Sequence, residues 1–146
     1  MADEITVRWG WLRGMYLYTL FGAGGFGLGM LCVPETLTEL LGWPLEEPIT
    51  VGIVGSVYTA FGLLSLLGLR APLAFAPVLL LQLVYKSIVL IGVVLPLLAG
   101  GHAPEYAVLV ALVFATYIIG DLIAIPFSYL FAKPADQPAS VHYRVD

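Results

Sequence analysis

Long apolar runs, separated by short breaks rich in proline, glycine or charge, dominate the pattern of this chain. The first run extends from about Trp11 to Val33 and stops at Pro34, and the second covers Ile49 to Leu69, closed by Arg70, Ala71 and Pro72. The third runs from Leu73 to Leu98 and the fourth from Tyr106 to Phe131. A helix needs about 20 apolar residues to cross roughly 30 Å of hydrocarbon, and each run is long enough. Pro77 falls near the first turn of the third run, where a missing N–H is tolerated, and Pro96 near its exit. Pro126 is expected to bend or loosen the last turns of the fourth. The connections Arg70–Pro72 and Gly100–Pro104 are short enough to force consecutive helices to lie antiparallel. The pattern therefore predicts an all-α, membrane-embedded antiparallel four-helix bundle over residues 1–132.

The break between Pro34 and Pro48 has a pattern of its own. Leu37, Leu40 and Leu41 share one helical face while Glu35 and Glu39 lie elsewhere, which predicts a short helix in the membrane interface with Trp43 anchoring it at headgroup level. Residues 133–146, with Pro134 and Pro138 among polar neighbours, carry no apolar periodicity and read as a disordered cytoplasmic tail.

Composition strengthens the membrane reading. Charged residues make up 11% of the 146 and hydrophobic ones 60%, against roughly a quarter charged in a soluble domain, so the apolar surplus must face lipid. Arg8, Arg13, Arg70, Lys133 and Arg144 all fall on one side of the four spans, whereas the opposite connections hold Glu35, Glu39, Glu46, Glu47 and Glu105. Positive charge is retained on the cytoplasmic face, which predicts a multi-pass protein of the plasma (inner) membrane with both termini cytoplasmic. Trp9, Trp11, Trp43, Tyr106 and Tyr129 sit near span ends, as an aromatic belt requires. The long, glycine-rich first span, with a bulky Leu31 before Cys32, argues against a cleaved signal peptide.

Several chemistries are disfavoured. A formal net charge of -4 with no basic run gives nothing to neutralise phosphates, so no nucleic-acid partner is expected. Cys32 is the sole cysteine, and His102 and His142 lie in a loop and the tail, so no intrachain disulfide and no metal site is expected. The run Gly22–Gly27 has the glycine density of a dinucleotide fingerprint but lies inside an apolar span. Neither a cofactor nor a catalytic residue is assigned.

Two charges fall inside the spans, where ionisable side chains are costly and tend to mark function. Lys86 in the third and Asp121 in the fourth lie at similar depths, so they are expected to meet, or share water, inside the bundle. Gln82 precedes Lys86 by one turn, Tyr117 precedes Asp121 by one turn, and Tyr85, Tyr58 and Thr59 are further candidates for a ligand or proton site. An ion pair that only fastens two helices is the competing interpretation. Helix packing is expected to use Gly22, Gly25 and Gly29 in the first span and Gly52 and Ser56 in the second, with Gly24 and Gly27 offering a second face.

These residues resemble the DoxX-like group of small bacterial four-helix membrane proteins. The resemblance rests on the glycine-rich first span ending in Pro34 and Glu35, the segment to Gly42, Trp43 and Pro44, and a second span from about Ile49. Tyr85, Lys86 and Ser87, with Asp121, Ile125, Pro126 and Tyr129, complete it. Some relatives of that group are similar to subunits of terminal or thiosulfate:quinone oxidoreductases, which implies a role beside quinones. This chain has no cluster of haem-ligand histidines in its spans, so a redox centre of its own does not follow. The expectation is a non-enzymatic accessory subunit or a small-ligand or quinone-associated binder, in the lipid bilayer with a homodimer or membrane-complex partner. The alternatives are a small proton-coupled transporter or channel using Lys86 and Asp121, and a membrane enzyme acting on a lipid or quinone.

Overall fold

The computed structural model describes residues 7–44 and 47–131, and among them all regular structure is helical. We label the helices α1 (Trp9–Cys32), α2 (Pro34–Leu41), α3 (Pro48–Arg70), α4 (Ala76–Ala99), α5 (Tyr106–Ala124) and α6 (Phe127–Leu130). Four of these, α1, α3, α4 and α5, are long and apolar enough to cross a membrane. The expected disordered tail lies outside the described residues.

The helix ends follow from local chemistry. Pro34 and Pro48 occupy first-turn positions, where their fixed backbone suits a helix start. Glu47 caps α3, its carboxylate accepting from the backbone N–H groups of Ile49 and Thr50. Those bonds, the Thr50 ones foremost, hold the Glu47 carboxyl below its usual range. Gly42 ends α2 in the left-handed conformation that favours glycine.

Two span boundaries differ from the sequence reading. The third helix begins at Ala76, three residues after Leu73, because residues 71–75 form a turn. The fourth does not reach Phe131. It ends at Ala124, since Ile125 precedes Pro126 and is pushed into extended backbone (φ -70°, ψ 123°) before the four-residue α6. Arg8 donates to the freed carbonyl of Ile123 at 3.5 Å. The backbone also widens into single π-turns at Leu20–Gly24 in α1 and Leu90–Val94 in α4, a form that recurs beside functional sites.

The seam between α1 and α3 uses glycines other than those expected. A Cβ on Gly27 would stand 2.5 Å from the Thr59 nitrogen and 2.6 Å from the Gly55 oxygen, and one on Gly62 would stand 2.6 Å from the Gly24 Cα. Gly68 lies against the Tyr16 ring. Residue numbers therefore fall along α3 as they rise along α1. Gly25 and Gly52 meet nothing within 4 Å, and Ser56 is exposed, so that row faces outward. Gly29 packs on Leu37 of α2, and Gly22 lies beside the Tyr117 hydroxyl.

One half of the molecule is tightly packed, around Leu12, Met15 and Tyr16 of α1, Leu79 and Leu83 of α4, and Ala124 at the end of α5. The Tyr16 hydroxyl, fully buried, donates to the Pro72 carbonyl at 2.7 Å and ties α1 to the α3–α4 turn. Toward the other end, where α2 lies, the helices part around a cavity. Leu37 and Leu41 face inward there, whereas Leu40, expected on the same face, is 76% exposed.

Candidate functional site

A cavity of about 320 Å³ opens between α1, α3, α4 and α5. Leu41, Trp43 and Tyr106 border it at the α2 end, and Lys86 contributes to its wall deep among the helices. Trp43 stacks on Tyr106, with ring centroids 5.5 Å apart and planes 8° apart, and also contacts Phe26 at 5.9 Å.

Lys86 is 1% exposed and enclosed by rings. Its Nζ lies 4.1 Å from the centroid of Tyr117, 4.7 Å from Phe114, 4.8 Å from Tyr85 and 5.5 Å from Tyr58. Ring faces carry negative quadrupole density, so they offset part of the cost of removing an ammonium from water. Nζ donates one hydrogen bond, to the Tyr85 hydroxyl at 2.6 Å.

Asp121 is fully buried, as expected, but it does not pair with Lys86: no ion pair within 4.0 Å joins them among the described residues. Its partner is the Gln82 amide, whose Nε2 donates to Asp121 Oδ2 at 3.2 Å and to Thr19 Oγ1 at 3.0 Å. Gln82 and Thr19 are likewise fully buried. Ser65, also buried, lies on α3 between Gly62, which faces Gly24 and Leu20, and Gly68, which faces Tyr16; that register puts it at the depth of Thr19. Three buried polar atoms here have no hydrogen-bond partner: Ser65 Oγ, Gln82 Oε1 and Asp121 Oδ1. A buried group left unbonded costs its full desolvation, so this cluster weighs against folding unless its missing partner is supplied.

The sequence candidates divide accordingly. Lys86, Tyr58, Tyr85 and Tyr117 come together around the cavity floor, and Gln82 joins Asp121 in the adjoining polar cluster. Tyr117 does not bond to Asp121; its hydroxyl donates to the Tyr18 carbonyl at 3.1 Å and its ring stacks on Tyr18 at 4.2 Å. Thr59 turns back to its own helix, donating to the Gly55 carbonyl at 2.8 Å, and belongs to the seam with Gly27. Thr19 and Phe114 are additions. Thr19 carries a usable signal, one turn beyond Tyr16 in an otherwise apolar stretch; Phe114, one of many apolar residues in α5, carries none. Among the described residues no group of three or more histidine, cysteine or acidic side chains is placed to hold a metal.

No family model, curated protein or solved structure matches this chain.

Proposed function

We propose that the protein is a multi-pass protein of the plasma (inner) membrane that holds a small, flat, lipid-soluble ligand in the aromatic cavity, as an accessory or ligand-binding subunit of the DoxX-like kind. The observation that carries this reading is the buried ammonium at the floor of a cavity walled by rings. Lys86 has three hydrogens and only one is spent on an oxygen, so a ligand oxygen completes its bonding, while the walls select a planar apolar body. A quinone-like ring has this chemistry. The opposed numbering across the α1–α3 seam and the short turns favour an antiparallel four-helix bundle, and the one-sided Arg and Lys distribution favours cytoplasmic termini. The outward row of Gly52, Ser56 and Ala60 is where a second copy or membrane partner would approach most closely.

Menadione, a neutral naphthoquinone, tests the binding. It should quench the fluorescence of Trp43, at the cavity's border, saturably in detergent micelles. Lys86→Met should weaken that binding roughly tenfold or more, the worth of a hydrogen bond from a charged donor, and Val113→Phe should block it by filling the cavity. Unchanged affinity in both variants would remove the reading. Orientation has its own test: with Cys32 replaced by serine, an impermeant thiol reagent should label a cysteine at Glu105 in whole cells and spare one at Arg70. The reverse labelling inverts the topology.

A second reading, a small proton-coupled transporter, draws on Lys86 and Asp121 being buried without an ion pair between them. Ligand flux into proteoliposomes driven by a proton gradient would favour it; binding without flux favours the subunit.

A further inference from the structure

We propose that the cavity takes its ligand as an anion, a lipophilic carboxylate held by Lys86, and that Asp121 takes up one proton when it binds. This inference rests on the ligand-binding reading above and specifies its chemistry.

Two observations lead to it, and the first is a count of hydrogens in the polar cluster. Gln82 Nε2 spends both of its hydrogens, one on Thr19 Oγ1 and one on Asp121 Oδ2. Gln82 Oε1 and Asp121 Oδ1 are then two buried acceptors with no donor. The two groups are already joined along one edge by the Nε2–Oδ2 bond. A hydrogen on Oδ1 would turn one of the orphaned acceptors into a donor, which a carboxylic acid can offer and a carboxylate cannot. The cluster is one hydrogen short, and a proton on Asp121 supplies it.

The second observation is a count of charge. Among the described residues Lys86 and Asp121 are the two buried side chains that carry charge of opposite sign when ionised, and together they sum to zero. A carboxylate entering the cavity to meet Lys86 would leave the interior with a net negative charge in a medium that solvates it poorly. Protonation of Asp121 restores neutrality. The first count shows that the cluster can accept a proton on Asp121, and the second ties that proton to the entry of an anion; the coupling is reciprocal, the anion promoting proton binding and the proton promoting anion binding.

The groups around Asp121 are consistent with this. Tyr16 of α1, Tyr85 and Lys86 of α4 and Tyr117 of its own helix lie near enough to interact with it electrostatically, and Ser65 is the buried hydroxyl of α3. Lys86 is the one cation of this set, and Tyr58 of α3 reaches Lys86 through its ring. The cavity beyond Lys86 is walled by Tyr18, Phe26, Phe114 and Tyr117, with no other charged side chain among the described residues lining it. A single anionic head on a planar apolar body matches that arrangement.

Naphthoate is the probe, compared with menadione as its uncharged counterpart. Both are titrated calorimetrically into the wild-type protein in micelles, in two buffers of different ionisation enthalpy, from about pH 6 to pH 8, where an aromatic carboxylate is ionised throughout. Naphthoate should bind with uptake of about one proton, and its affinity should fall about tenfold per pH unit once Asp121 is ionised in the free protein. Menadione should bind with no uptake. Asp121→Asn, whose amide can pair with Gln82 as the protonated acid does, should bind naphthoate without uptake and without pH dependence; Asp121→Glu should keep both. Naphthoate binding to wild type without proton uptake overturns the inference and leaves the ligand-binding reading standing. Uptake that persists in Asp121→Asn places the proton on Lys86 and overturns it too, as does an affinity that follows sodium concentration instead of pH. Failure of both probes to bind removes the underlying reading.

Discussion

Gly27→Ala is expected to destabilise the folded protein by about 3 kcal/mol, the upper part of the range for overpacking, with further loss for Gly27→Val. The added Cβ would meet the Thr59 nitrogen at 2.5 Å and the Gly55 oxygen at 2.6 Å. These are backbone atoms of α3, so no side-chain rotation relieves the clash and the two helices must move apart. Separation along this seam also shifts Gly62 from Gly24 and Gly68 from Tyr16, which spreads the cost over the whole contact. Gly25→Ala is the matched control: it lies two residues away with nothing within 4 Å, and alanine's better helix propensity should leave stability unchanged or raise it by up to about 1 kcal/mol. Equilibrium unfolding in mixed micelles with increasing SDS measures both. Equal midpoints for the two variants would show that α1 and α3 do not pack through Gly27.

Removing one buried charge should be at least as damaging, and removing both should be much less so. Lys86→Met leaves Asp121 without the compensating cation, and Asp121→Leu leaves the ammonium with its rings alone; each is expected to cost roughly 3 to 5 kcal/mol, the range for breaking a buried charge arrangement. The double variant Lys86→Met/Asp121→Leu should cost well under the sum, because the interior is again neutral. The same unfolding assay reads the cycle. Simple additivity would mean that the two charges do not sense each other, and would sink the neutrality argument for the cavity. Recovery of stability in the double variant with no recovery of ligand binding would separate the structural role of the pair from the functional role of Lys86.

Much of this site was legible along the chain. Lys86 and Asp121 stand out because charge is rare in apolar runs, and the one-turn spacing from Gln82 to Lys86 marks a shared polar face. Both charges are buried, but the direct ion pair between them does not form, for a reason that spacing does not encode. The Gln82 amide bonds to the carboxylate first, and the Lys86 ammonium turns toward Tyr85 and a cage of rings contributed by three helices. Thr59 illustrates the same limit. Its hydroxyl is on a helix that borders the site, but the backbone carbonyl of Gly55 is within reach and takes it.

The amino-acid sequence by itself determined the four long apolar helices, the short α2 with its proline start and glycine stop, and the two residues whose charge has to be accommodated inside, because hydropathy and backbone stereochemistry act within single segments. Only the tertiary structure decided which glycines form the α1–α3 seam, where α5 stops and what surrounds Lys86. A glycine row reads alike on every face until a neighbouring backbone approaches one of them. The Lys86 cage and the Thr19–Gln82–Asp121 cluster are likewise set by how helices distant in sequence rotate about their axes, a choice made by packing and not by any one span.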